Sequence, residues 1–295
     1  MKDTDILPSG KSILAELELE QLTVRTIKPR SKRTHYRAIL NWIMRYQTSS
    51  SSSSIDYVKG LLEVFYHFCQ LEEWRRAALT LAIPLNLSAK VELQEHLGIW
   101  GYYNEQIELY KQLLGKLTPA IDSVCLNGLG GAYHSLGRYQ QAIDCHQQDL
   151  ELARKTGNRK GEGSALGGLG NAYNALANYP EATHCYQQWL GITQDVGDCQ
   201  GKAKALGNLG DINESLGRYE QAISYYQQCL TIAAEISDSM TESRANGGLA
   251  NVYSHQGKYT EAVGCYQKWL KTAQDNGDRD GESKALSSTL SISDI

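Results

Sequence analysis

The sequence predicts an all-α chain, a solenoid of about six antiparallel helix hairpins, and three observations lead there. A 40-residue phrase returns four times without insertion, over 124–163, 164–203, 204–243 and 244–283. Inside each copy the apolar residues recur with the helical period of about 3.6 residues, where a half-buried strand would alternate. The breaks between the periodic stretches are short, and short breaks make consecutive helices antiparallel neighbours.

The register of the repeat is fixed by columns. Leu129, Leu169, Leu209 and Leu249 align, followed by Gly130, Gly170, Gly210 and Ala250. Tyr139, Tyr179, Tyr219 and Tyr259 form the next column, then Ala142, Ala182, Ala222 and Ala262, and Leu150, Leu190, Leu230 and Leu270. In the first copy Leu126, Leu129, Tyr133 and Leu136 make one apolar stripe, and Gly137 stands where a helix is capped. A second helix carries Ala142, His146 and Leu150 on one face and ends near Gly157, as its counterparts end near Gly197 and Gly277. Interior helical glycine costs roughly 1 kcal/mol against alanine, so Gly167, Gly168 and Gly170 in one short stretch need compensation. The glycine and alanine columns are both small, which predicts close approach of the two backbones of each hairpin.

These residues carry a resemblance. Leu169, Gly170, Tyr173, Ala182, Tyr186 and Leu190 follow the spacing of the tetratricopeptide repeat, and the chain resembles the long, 40-residue variant common in cyanobacterial proteins. It is similar to the arrays of spindle-orientation adaptors and kinesin light chain. The resemblance covers 124–283 and extends upstream in weaker form. Tyr103, Tyr110 and Leu114 keep the spacing while Gln106 replaces the small residue. Trp74 and Ala77 mark a still earlier hairpin that Pro84 stops. The organisation expected is a basic segment 1–54 with one amphipathic helix and a serine-rich link, two divergent hairpins over 55–122, four repeats over 123–283, and a partial helix or cap over 284–295, or the start of a longer array.

The resemblance implies a right-handed superhelix whose first helices line a concave groove that binds an extended peptide or a partner helix, with no cofactor and no small-molecule substrate. By that analogy the groove residues are Asn127, Asn171, Asn174, Lys204, Asn208, Asp211, Glu214, Arg244 and Asn251. Asparagine suits a peptide backbone because its amide both donates and accepts. The family's carboxylate clamp is matched by Asn171, Asn208 and Arg244, but Gly167 and Gly248 stand where two further cations belong. One cation in place of three disfavours the clamp.

Other chemistries find little support. The histidines are scattered and no HExxH occurs, and Glu72–Glu73 reads as a solvated pair. "PSGKS" at 8–12 lacks the glycine that a phosphate loop requires, with Asp5 in its place. No apolar run is long enough to span a membrane, and the start lacks the pattern of a secretory signal. That makes the expected location cytoplasmic, with the seven cysteines reduced and mostly buried as small hydrophobes. Net charge is −4, yet seven basic and no acidic residues fall between Gln21 and Ile55. Behind that basic run Tyr36, Ile39, Leu40, Ile43 and Met44 form an amphipathic stripe. This helix caps the solenoid's first hairpin or, alternatively, meets a membrane surface or nucleic acid through 25–45. The function expected is a non-catalytic interaction scaffold. Its alternative is the sensor portion of a signalling system whose NTPase, protease-like or kinase module lies on another chain.

Overall fold

The computed structural model describes residues 6–20, 24–46, 54–85 and 91–293. Most of the serine run expected to act as a link, 49–53, lies outside them. Among the described residues the regular structure is helical, and the sole strand-like feature is an isolated bridge between Pro84 and Glu92. No described helix is long and apolar enough to cross a membrane. The chain divides into two compact units, 1–138 and 139–295.

The first unit holds α1 (Gly10–Glu16), α2 (Arg30–Arg45), α3 (Ser54–Gln70), α4 (Trp74–Leu81), α5 (Leu93–Ile99), α6 (Tyr103–Leu113) and α7 (Pro119–Ser135). The "PSGKS" stretch begins α1, where the Ser9 hydroxyl accepts the Ser12 N–H at 3.1 Å as an N-cap. The amphipathic stripe of α2 buries Tyr36 and Ile39, and α2 packs along α3, whose Val64, Phe65 and Phe68 are fully buried. Glu73 is more than a solvated carboxylate. Tyr36 Oη donates to it, and Arg76 Nη1 binds both Glu73 Oε2 (2.7 Å) and Tyr36 Oη (3.0 Å). Arg76 also donates to the carbonyls of Leu17 and Glu18, tying the end of α1 to α4. Gln106 packs closely in spite of its size. Its Nε2 donates to the Gln94 carbonyl at 2.8 Å, and its amide lies against Gly98, where a Cβ would stand 3.3 Å away.

The second unit runs through α8 (Tyr139–Thr156), α9 (Arg159–Ala175), α10 (Tyr179–Val196), α11 (Cys199–Ser215), α12 (Tyr219–Glu235), α13 (Ser239–His255), α14 (Tyr259–Asn276) and α15 (Arg279–Ser293). Consecutive helix hairpins form α9–α10, α11–α12 and α13–α14, and each second helix also packs on the first helix of the next hairpin. The core is built from the Ala182, Ala222 and Ala262 column, the Leu169, Leu209 and Leu249 column, and Tyr186, Tyr226 and Tyr266, while the Tyr179 and Tyr219 positions and Leu190 and Leu230 pack half-buried against it. Every first helix here is N-capped by one column: Asn158, Asp198, Asp238 and Asp278 accept the N–H of the third residue on at 2.9–3.1 Å. The turn before each cap uses left-handed backbone. Gly157, Gly197 and Gly277 supply it at φ near 70°, and Ser237 is forced to φ 56°.

The glycine column works differently from the close backbone approach expected. A Cβ on Gly170 would lie 2.3 Å from the Tyr186 ring, and one on Gly210 would lie 2.6 Å from Tyr226. Gly248, on the next hairpin, faces Tyr226 from the other side at 2.4 Å. Glycine therefore makes a slot for a buried aromatic ring of the second helix.

Candidate functional site

The slotted tyrosines reach through the hairpin and place their hydroxyls among the polar residues of the first helices. Tyr186 Oη donates to Asn171 Oδ1 at 2.6 Å, and Tyr266 Oη donates to Asn251 Oδ1 at 2.6 Å. Between them Tyr226 Oη lies 2.8 Å from Asp211 Oδ1 and 3.0 Å from Glu214 Oε2. Burial pushes all three tyrosines above their ordinary pKa, so they remain hydroxyl donors at neutral pH.

Lateral bonds join one hairpin to the next. Asn208 Nδ2 donates to Asn171 Oδ1 at 3.2 Å, and Arg244 Nη2 donates to both Asn208 Oδ1 and Asp211 Oδ2. A polar chain thus runs from α9 through α11 to α13. Burial works against the Arg244 charge, but Asp211 more than offsets it and holds the pKa above the ordinary value. Burial pushes the Glu214 carboxyl above its ordinary value, and Asp211 adds to the rise.

The residues read from the sequence are thereby sorted. Asn171, Asn208, Asp211, Glu214, Arg244 and Asn251 come together on one wall of the second unit. Asn208 is 6% exposed and both ends of its amide are engaged within the wall. Lys204 is exposed on α11 and borders a small cleft with Asp211 and Arg244. Asn174 is half-buried on α9, one turn beyond Asn171. Asn127 is half-buried on α7 and belongs to the first unit.

The wall opens into a groove of about 690 Å³ between α11, α13 and α15, bordered by Glu214, Arg244, Asn251, Trp269 and Lys284. Three of its features escaped the sequence reading. Lys284 continues the column of Ser164, Lys204 and Arg244 at the same 40-residue step, one residue past the last full copy. Trp269 belongs to a second helix but lies across Gly247, where a Cβ would stand 3.2 Å from the indole. Met240, at the rim, is 81% exposed. Among the described residues no group of three or more His, Cys, Asp or Glu side chains is arranged to hold a metal ion.

A family model described as tetratricopeptide repeat matches residues 121–195 and again 161–235, and a second model of the same description matches 247–280, together just over half of the chain. The chain is a tetratricopeptide-repeat protein. Members of this family are generally non-catalytic interaction scaffolds. No curated protein matches the sequence. Among solved structures, the repeat protein is similar to the Rap conjugation gene regulator of the plasmid pLS20, in complex with the Phr peptide. Identity is 14% over 93% of this chain and 73% of that one, with a TM-score of 0.61. It is also similar to a signal transduction ATPase with numerous domains (STAND) protein with a tetratricopeptide repeat sensor from Pyrococcus horikoshii. Here identity is 17% over 92% of this chain, with a TM-score of 0.59. The repeat protein spans 44% of that protein's length. BtubC from P. vanneervenii matches at 15% identity over 91% of both chains, with a TM-score of 0.51. At these identities the likeness is one of fold.

Proposed function

We propose that the second unit is a non-catalytic recognition module that takes an extended peptide, or an extended segment of a partner protein, along the wall of α11, α13 and α15. One observation carries the reading. The Tyr186 and Tyr266 hydroxyls occupy the Oδ1 atoms of Asn171 and Asn251, which fixes the amide orientation and leaves the Asn171 amide nitrogen as a donor on the wall, while the Asn251 amide also donates to Glu214. The Asn171 amide and the remaining amide hydrogen of Asn251, two repeats apart with the Asp211 carboxylate in the column between them, suit carbonyl oxygens of an extended chain. Trp269 and Met240 offer an apolar seat for one side chain. Lys204, Arg244 and Lys284 share one column beside it, where Arg244 is paired with Asp211 and Lys284 with Asp280 at 2.6 Å, so cations and carboxylates alternate along the wall. Asn208 acts as a strut that aims Asn171 and Arg244. The peptide in the Rap regulator's structure supports the choice of occupant.

The STAND neighbour supports a second reading, in which the protein is the sensor portion of a signalling system whose catalytic module is elsewhere. Peptide recognition serves either role. The proposal includes the 40-residue, cyanobacterial-type form of the repeat and a cytoplasmic location. Small-molecule turnover and nucleic-acid binding are no part of it.

Selection of peptides from a display library against the intact chain tests this. Trp269→Ala and Lys284→Ala are each expected to weaken a selected peptide at least tenfold while the circular dichroism spectrum stays native. Peptides that bind both variants as well as the parent would refute the groove.

A further inference from the structure

Away from this wall, in the first unit, two histidines meet on adjoining helices. His35 of α2 and His67 of α3 are both half-buried, and their Nδ1 atoms lie 3.1 Å apart with the rings at 74°. Two imidazoles in the same tautomer, both protonated at Nε2, would point lone pairs at each other at this distance. Such an approach requires something positive between them, either a proton carried on one Nδ1 or a cation bound by both.

The distance fits a metal. With metal–nitrogen bonds of about 2.0–2.1 Å, nitrogens at this separation subtend roughly 100° at the ion, between the octahedral and tetrahedral angles. The surroundings select the class of ion. Calcium and magnesium require several oxygen ligands, and no cluster of three potential ligands exists among the described residues. Lys32, Arg33 and Arg37 on α2 are basic, and Glu63 on α3 is the carboxylate whose field reaches His67. A cation there is therefore held chiefly by nitrogen coordination, with one carboxylate nearby. Imidazole donors suit zinc, copper and nickel.

We infer that His35 and His67 form a two-histidine site for a divalent first-row transition ion, zinc in the first instance, that clips the basic helix α2 to the first hairpin. Water completes the coordination. Because the ligands come from two helices, the ion binds the docked arrangement in preference to the undocked one and so stabilises it. The neighbouring attachment through Tyr36, Glu73 and Arg76 holds α2 in register for the pair.

Calorimetric titration of the intact chain with zinc chloride, slightly above neutral pH, tests the site. One zinc is expected to bind, and His35→Gln and His67→Gln are each expected to weaken it at least tenfold. Cys199→Ser, which removes the exposed thiol, should leave binding unchanged, and magnesium should give no heat. If His67→Gln fails to fold, His35→Gln decides, since that ring sits half-exposed on α2. Absence of binding would leave a plain imidazole–imidazole hydrogen bond and overturn the inference. Equal binding by the histidine variants, or loss in Cys199→Ser, would overturn it as well.

Discussion

Replacing Gly170 with leucine interrogates the slot that positions the candidate site. The Cβ alone would stand 2.3 Å from Tyr186 Cε1, 2.6 Å from Cδ1 and 2.8 Å from Cζ, and three further carbons would follow it. Tyr186 is 1% exposed and its hydroxyl is tied to Asn171 at 2.6 Å, so the ring has nowhere to retreat without breaking that bond. Overpacking costs about 1–3 kcal/mol and occasionally more. The lost hydrogen bond adds about 0.5–1.5 kcal/mol, and the better helix propensity of leucine returns a little under 1 kcal/mol. A net loss of about 1–4 kcal/mol is expected. Gly170→Ala should fall well short of that, because Ala250 holds the same column with the Tyr266–Asn251 bond intact. Gly191, inside α10 with no atom within 4 Å of its would-be Cβ, gives the opposite sign. Gly191→Ala should stabilise by about 1 kcal/mol through propensity alone. Urea denaturation of the intact chain, followed by circular dichroism, reads all three. A Gly170→Leu midpoint at or above that of the parent would refute the slot.

Ala177 and Ser237 occupy left-handed backbone at φ 56°, where the equivalent turns use glycine. Ala177→Gly and Ser237→Gly should each raise stability by about 0.5–1 kcal/mol in the same assay, the relief of strain outweighing the entropy of glycine. Asp198→Ala removes the cap on α11, whose Oδ1 accepts the Gly201 N–H at 2.9 Å, and should cost about 1 kcal/mol. Glu162 supplies a pH dependence. Burial works to raise its pKa, but hydrogen bonds from Arg154 (3.0 Å) and Arg159 (2.6 Å) prevail and hold it below the ordinary 4.5. A lowered folded-state value means the contribution is complete above 4.5 and disappears as pH falls through the folded value. Glu162→Gln should therefore flatten the acid limb of a stability–pH curve without steepening it near neutrality.

Much of the second unit was legible because its repeats are exact in length. The Leu169 and Tyr186 columns report helical phase and put Asn171, Asp211 and Asn251 in one column, and the family resemblance assigns that column to the groove wall. What periodicity cannot report is which neighbour a small residue serves. Gly170 was expected to face a backbone, yet it faces an aromatic ring from the other helix, and Asn208 reads as a wall residue but is used inside the wall. Trp269 was missed because it belongs to a second helix and crosses to the groove only through the space above Gly247. Lys284 was missed for a simpler reason: the count of full copies ended at 283, one residue short of it. The caps from Asn158 to Asp278 were present as a column of Asx residues at a constant step. The histidine pair joins helices of unrelated sequence 32 residues apart, and no spacing rule connects them.

Photo-crosslinking from the rim of the groove tests peptide recognition most directly. A photoreactive residue in place of Met240, which is 81% exposed beside Arg244, is expected to label a selected peptide. The same group in place of Gln187, in the separate cleft between α10 and α12, is expected to leave it unlabelled. Labelling from position 187 with none from 240 would put recognition on the other face and contradict the account.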